Sequence, residues 1–469
     1  MGRTRGGGTA IGGLALWLAV ACNGGSSARE GADAAPGDDA AADAAGIDAT
    51  HALDPWSLQL IGPWGEEIQF AVAADDSSVV IGGEINESAV LGGKSMMADG
   101  LGDAFFVARV AADGDVMWAQ AFGGNDTIIL GDLAVSPAGD AYVTGRFRGT
   151  IDLGGPEPAV AVGDTFDFFV AKYAATDGAP VWAKDFGGPA SDAGTALDVT
   201  ADGDVVVAGY LAGYVQLGGD FLESSDGRDV FLARYGAEDG AHRWSRILEG
   251  PGAEEVTSLD VLGGGTMLAG GLLWTESGVT RVAWLDADGD ATGASELGTG
   301  LLHVWAAVPA DGDDAIVAGT FQGAVAIGDQ DASSSDVGSF FARVAGADRS
   351  VTWATFAGDE GATLVTDMAL GGDGRVLGAG FLLGRATFGG DTLDSGDGQA
   401  AIFLELDGAT GEPGGGATYG DNQARGNAVT ARPDGGIVFC GGFREDIDLG
   451  TGVLATETTG DGFAALLPP

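Results

Sequence analysis

The sequence predicts an all-β fold of repeated antiparallel sheets, and three observations predict it. A unit of roughly sixty residues recurs seven times between Trp56 and the C-terminus. Within a unit, short apolar runs alternate with turn signals, and no helical crossover separates them. The repetitive region also opens on WSLQL (56–60) and closes on FAALL (463–467), two complementary fragments of one unit.

The period is read from the tryptophans. The clearest copies are WAQAFGG (118–124) and WAKDFGG (182–188). Trp56, Trp118, Trp182 and Trp244 are 62, 64 and 62 residues apart. Gly293, Trp353 and Gly415 hold that position in the next copies, at steps of 49, 60 and 62.

The third copy shows the strands of a unit. ALDVT (196–200) is a short apolar-rich run, and ADGD (201–204) is a hairpin turn in which glycine accepts positive φ. VVVAGY (205–210) is the second and most apolar strand, and VFLARY (230–235) is the third. AEDG (237–240) turns the chain again into WSRIL (244–248), the fourth. Gly209 in the second strand recurs as Gly82, Gly145, Gly270, Gly319, Gly380 and Gly441, marking a bend or a close backbone approach. Four strands in each of seven units predict a seven-bladed β-propeller.

The ends predict closure. WSLQL reads as a fourth strand and FAALL as a third, so the last blade lacks a strand that the first can supply. Pairing them removes two exposed sheet edges. The expected division is a signal peptide over 1–21, a tether over 22–54 and the propeller over 55–469.

Ahead of the repeats, Arg3 and Arg5 precede the apolar stretch LALWLAVA (14–21) and Cys22, the pattern of an export signal too short to span a bilayer. AVAC (19–22) resembles the lipobox of bacterial lipoproteins. That resemblance implies acylation of Cys22 and an anchor to a bacterial envelope membrane, the outer membrane or cell surface being expected from Asn23. A secretory signal cut near Ala21 is the alternative. Residues 23–54 are rich in Ala, Gly, Asp and Ser, which predicts a flexible tether.

Net charge is −48, so nucleic acid is excluded as a partner on electrostatic grounds, and membrane contact is expected through the lipid only. Cys440 is the one other cysteine, so no internal disulfide is expected in the repeats. A monomer is expected.

The motifs W-A-x-x-F-G-G, Asp-Gly before an apolar strand ending in Gly, L-G-G at Leu153 and Leu217, and F-V-A-[KR] at 105–109 and 168–172 resemble the bacterial SBBP repeat, a seven-bladed β-propeller repeat. The likeness spans 56–469. It implies a secreted or surface-exposed protein and carries no catalytic residues. Copy four departs from it: GGLLWTESG runs straight into VTRVAWL, without the L-G-G excursion.

Candidate chemistry is sparse. Asp-rich turns could offer oxygen ligands to calcium, with Asp286, Asp288 and Asp290 of DADGD the best set, although the EF-hand spacing is absent. Otherwise no cofactor is expected. Arg109, Lys172, Arg234 and Arg343 recur at one third-strand position, to pair with acids, stack on tryptophan or line a channel. Trp118, Trp182, Trp244 and Trp353 are expected to pack between repeats; ATDGAPVW (175–182) loosely resembles the tryptophan-docking motif of quinoprotein propellers. His51, His242 and His303 show no metal spacing and no nucleophile elbow accompanies them.

These readings favour a non-enzymatic interaction scaffold for an unidentified protein or small ligand, with the short fourth blade as the partner face. The alternatives are an envelope hydrolase or lyase, and a quinoprotein-like or outer-membrane-assembly propeller.

Overall fold

The structure is a computed structural model. It describes residues 54–467, apart from 64, 75, 99–101, 249–254, 263–264, 274–278, 359–360, 421 and 457–458. The signal segment, Cys22, the tether and His51 lie outside the described residues.

Every named element among the described residues is a strand, and every pairing is antiparallel, as the turn-rich sequence requires. The first sheet holds Glu67–Ala73, Val79–Asn86, Asp103–Val110 and Val116–Gly123. The second holds Ile128–Val135, Ala141–Phe147, Asp167–Tyr173 and Pro180–Phe186. The third holds Ala193–Val199, Val205–Gln216, Phe221–Tyr235 and His242–Leu248. The fourth has seven strands: Glu255–Val261, Met267–Leu273, Val279–Leu285, Ala291–Pro309, Ala315–Ile327, Gln330–Val344 and Val351–Ala357. The fifth holds Ala362–Leu370, Arg375–Phe388, Asp391–Asp407 and Pro413–Tyr419.

The sixth sheet joins the two ends of the repeat region. Arg425–Ala431, Ile437–Phe443 and Asp461–Leu466 are followed in it by Trp56–Ile61, then by Ser88–Leu91 and Lys94–Met97. Trp56 lies opposite Leu466 and Leu60 opposite Gly462.

Local chemistry sets the turns. In Thr200–Asp204 the Thr200 N–H donates to the Asp204 carbonyl at 2.9 Å and the Gly203 N–H to the Thr200 carbonyl at 2.8 Å. Gly203 adopts φ +86°, which a side chain disfavours. The strands run longer than the sequence reading: Val205–Gln216 extends six residues beyond Tyr210 and pairs as a hairpin with Phe221–Tyr235. The L-G-G excursion is therefore strand in this copy. In the preceding repeat it is a small separate hairpin, Thr150–Ile151 with Ala159–Val160.

The recurring glycine has a steric cause. A Cβ on Gly209 would run into the Ala193 carbonyl oxygen, and Gly145, Gly319, Gly380 and Gly441 each face such a carbonyl. In two copies the expected residue is off by one. Gly83, not Gly82, faces the Glu67 carbonyl, and Gly271, not Gly270, faces that of Glu255. Both sites are Gly-Gly pairs, so the pattern alone did not choose between them.

The core consists of apolar layers between consecutive sheets. Phe168 and Val170 of the second sheet pack with Val205, Val207 and Phe231 of the third. Leu60, Val438, Ala464 and Leu466 of the sixth pack with Ile68, Val79, Ile81 and Phe106 of the first. Large side chains such as Phe106, Phe168 and Phe231 are fully buried, each stabilising the fold by roughly 1.5–3 kcal/mol.

Candidate functional site

A central cavity, of about 580 Å³, is lined by the strands that begin the repeats: Glu67–Ala73, Ile128–Val135, Ala193–Val199, Glu255–Val261, the second half of Ala291–Pro309, Ala362–Leu370 and Arg425–Ala431. Each of these strands carries a bulge at its middle, for example between Leu130 and Asp132 and between Val365 and Asp367. In four repeats the extra residue turns its side chain onto a carbonyl of the neighbouring repeat. Thr195 Oγ1 donates to the Val256 carbonyl at 2.6 Å, and Thr257 Oγ1 to that of Val304 at 2.5 Å. Thr366 Oγ1 donates to Gly426 at 3.1 Å, and Asn427 Nδ2 to Ile68 at 3.0 Å.

Four carboxyls stand on this wall: Asp132, Asp198, Asp260 and Asp367. Asp132 accepts from its own strand's Leu133 N–H at 2.7 Å and from Leu197 N–H of the next sheet at 2.8 Å. Asp198 does the same with Val199 and Val261, both at 2.7 Å. Asp367 accepts from Val429 N–H at 2.9 Å. Burial raises their pKa values against these hydrogen bonds, Asp132 to about 8 and Asp198 and Asp367 to about 6. For Asp132 the charges of Asp367 and Asp198 add to the rise. Asp260 is pushed well up by burial and then by the other three charges. The charges of Asp198 and Asp367 thus oppose the ionisation of Asp132, and those of all three oppose that of Asp260.

The sequence reading did not single out these acids. Asp132 and Asp367 follow the bulge directly, whereas Asp198 and Asp260 stand two residues further on, so no single repeat position collects them. Their one sequence signal is an acid inside an otherwise apolar strand.

The residues that the sequence did single out lie elsewhere. Trp118 Nε1 donates to the Ala175 carbonyl at 2.9 Å and Trp182 Nε1 to that of Ala237 at 3.2 Å, each reaching into the following sheet. The rings lie under turn glycines: a Cβ on Gly178 would come 2.6 Å from Trp118, and one on Gly289 2.5 Å from Trp244. Trp353 lies under Gly411 in the same way. Where Gly293 replaces tryptophan, the Arg349 guanidinium fills the space and donates to the Thr292 carbonyl at 2.8 Å.

The recurring basic residues pair with acids. Arg109 joins Asp76 at 3.0 Å, Lys172 joins Asp140 at 2.9 Å, and Arg343 joins Asp314 at 3.0 Å. Arg234 joins both Asp202 and Asp204. None of the four lines the cavity.

In the DADGD turn, Asp286 Oδ1 accepts from the N–H groups of Asp288 and Asp290, both at 3.0 Å, and Asp290 pairs with Arg246 at 2.7 Å. Among the described residues, no group of three or more His, Cys, Asp or Glu is placed to hold a metal ion. His303 is buried, which lowers its pKa to about 4. Cys440 is buried and its thiol pKa raised for the same reason.

No protein-family model matches the chain, and no curated protein sequence matches it. Solved structures do resemble it. One is described as the Dos1 propeller, at 9% identity and TM-score 0.44 over 88% of this chain and 95% of that one. Another is BamB from Moraxella catarrhalis, at 12% identity and TM-score 0.37 over 88% and 98%. A third is a catalytically inactive virginiamycin B lyase from Staphylococcus aureus with quinupristin, at 9% identity and TM-score 0.44 over 87% and 99%.

Proposed function

We propose that the repeat region is a closed seven-bladed β-propeller of the SBBP type, and that it serves a bacterial cell envelope as a non-enzymatic interaction scaffold. In this reading the seven-stranded sheet is two blades sharing the bent strand Ala291–Pro309, and Trp56–Ile61 supplies the last strand of the seventh blade. The observation that carries it is the cavity wall, to which seven repeat-initiating strands contribute one after another. The hydrogen bond from Asn427 to Ile68 and the apolar layer between the sixth and first sheets support closure.

A rigid ring presents its loops as recognition surface. The hairpin Met267–Leu273 with Val279–Leu285 is the shortened one, against Val205–Gln216 with Phe221–Tyr235, and we assign the partner face to it. Cys22, acylated, anchors the ring through the 22–54 tether, with the outer membrane or cell surface as its place.

The raised carboxyls favour one rival, a hydrolase or lyase working by acid–base chemistry in the cavity. Against it, Asp132 and Asp198 each engage both oxygens with main-chain N–H groups, the arrangement of a structural staple. The deciding experiment offers ester, glycoside and lactone substrates to the purified full chain and measures the mass of its N-terminal peptide. The scaffold reading expects no turnover above buffer and a diacylglyceryl-modified Cys22. Turnover abolished by Asp132→Asn or Asp260→Asn contradicts the scaffold, and an unmodified N-terminus contradicts the anchor.

A further inference from the structure

Another cleft, of about 370 Å³, lies where the second sheet meets the outgrown hairpin of the third, and it shares no lining residue with the 580 Å³ cavity. Asp167 is its buried carboxyl, 2% exposed. Asp167 Oδ2 accepts from the Val162 N–H at 2.9 Å, while Oδ1 is buried with no hydrogen-bond partner. Gly187 makes room for this group, because a Cβ there would overlap the carboxyl. Asp185 supplies a second, exposed carboxylate.

Apart from Gln216 and Gly187 the rest of the lining is apolar, and most of it is open to solvent. Tyr214 and Phe221 are 53% and 66% exposed, with ring centroids 6.2 Å apart in an edge-on arrangement. Val160 and Val162 are 61% and 52% exposed. Aromatic rings left in water beside a carboxyl with an unused acceptor form an incomplete environment: the rings lack an apolar cover and the oxygen lacks a donor.

No lining residue is basic, so nothing within the cleft supplies that donor as a cation. Gln216 is a neutral donor that spends one of its two amide N–H groups on the Gly219 carbonyl at 3.0 Å, and neither satisfies Asp167 Oδ1. A ligand that completes the site brings N–H donors, positive charge and a hydrocarbon stem. A sugar fits less well, because the cleft has few free donors to meet hydroxyl oxygens.

We propose that this cleft binds an organic cation, an alkylammonium group on an apolar stem, with the ammonium donating to Asp167 Oδ1 and Asp185 and the stem lying against Tyr214 and Phe221. The acidity of the whole chain, net −48, raises the local concentration of such cations.

The acids around the site give binding a pH signature. Burial raises the pKa of Asp167 to about 6, with the Asp185 charge adding to the rise, and burial raises that of Asp185 as well. Asp192, immediately before the first strand of the third sheet, is raised by burial to about 7, with the Asp167 charge among the causes. Ammonium binding favours ionised Asp167, so affinity rises between pH 5 and pH 7.5 and protons are released on binding at pH 6.

Calorimetric titration of the full chain with n-butylammonium chloride tests this, with 1-butanol as the neutral analogue. Nα-acetyl-lysine methylamide, in a separate arm, tells a free amine from a protein side chain. Binding is expected for n-butylammonium, at least tenfold weaker for 1-butanol and for Asp167→Asn, and several-fold weaker for Phe221→Ala and at pH 5. Asp329→Asn, a surface acid elsewhere, is expected to change nothing. Should Asp167→Asn fail to fold, Phe221→Ala and the pH series carry the test. Equal binding of amine and alcohol, or an affinity indifferent to both Phe221→Ala and pH, overturns the proposal. Tighter binding of the lysine derivative than of butylammonium assigns the natural ligand to a protein; the reverse assigns it to a free amine.

Discussion

Arg109 and Trp118 are cross-strand partners in the first sheet, and both donate to one acceptor in the second, the carbonyl oxygen of Ala175, at 3.3 and 2.9 Å. Lys172 and Trp182 repeat the arrangement one sheet later, sharing the Ala237 carbonyl at 2.8 and 3.2 Å. In these two copies the recurring base and the recurring tryptophan are therefore one device, which pins a turn of one sheet to the sheet before it. In the next copies Trp244 and Trp353 pack under turn glycines without that bond.

The shared acceptor predicts coupling. Trp118→Phe keeps an aromatic ring but loses the donor and the volume of the five-membered ring, so a cavity cost adds to the hydrogen bond's about 0.5–1.5 kcal/mol. Arg109→Ala also loses its bonds to Ser78 and Gly139, at about 1–3 kcal/mol. A double-mutant cycle by denaturant unfolding is expected to give a coupling energy of about 0.5 kcal/mol or more. Strict additivity contradicts the shared role.

The carbonyl behind Gly209 predicts a steric penalty. Gly209→Ala forces the second strand off the Ala193 carbonyl, and overpacking of this kind costs about 1–3 kcal/mol. Gly203→Ala, in the preceding turn, is the contrast: its nearest neighbour would lie 3.5 Å away, so its cost comes from the φ of +86° alone. The two melting temperatures separate collision from conformational strain.

The cavity acids predict how stability varies with pH. A carboxyl whose pKa is higher folded than unfolded binds its proton more tightly in the folded state. Its stabilising contribution is present below the unfolded value and is lost as pH rises through the folded one. With Asp198 and Asp367 raised to about 6 and Asp132 to about 8 from an ordinary 3.8, the melting temperature is expected to fall between pH 5 and pH 8. The slope is expected to flatten in Asp132→Asn and Asp260→Asn. A melting temperature that rises over this range contradicts the raised values.

The repeat itself made most of the fold legible. Some Asp-Gly turns recur because their glycine serves both a positive φ and the tryptophan ring packed beneath it, as at Gly114, Gly178, Gly240 and Gly289, while Gly203 serves the φ alone. The junction of Trp56–Ile61 with Asp461–Leu466 was legible because both fragments kept unit sequence. The extension of Val205–Gln216 was not, because AGYVQLGGDFLESSDG has no clean two-residue alternation and carries the glycines of a loop. The cavity acids were hidden among 69 Asp and Glu residues, and only the bulge shows which of them face the cavity. The cleft was out of reach for another reason: Asp167 and Tyr214 sit in different repeats and meet only where two sheets pack.

The central claim is that the two ends of the repeat region share one sheet, and a disulfide tests it most directly. Ser57 and Ala465 are register partners, so Ser57→Cys with Ala465→Cys places two thiols side by side, while the native Cys440 stays buried. Under mild oxidation the account predicts a quantitative disulfide, seen as a faster-migrating band that reductant reverses, and a gain of about 2–4 kcal/mol in stability. Two thiols that remain free and reactive under the same conditions, with the melting temperature unchanged, would contradict it.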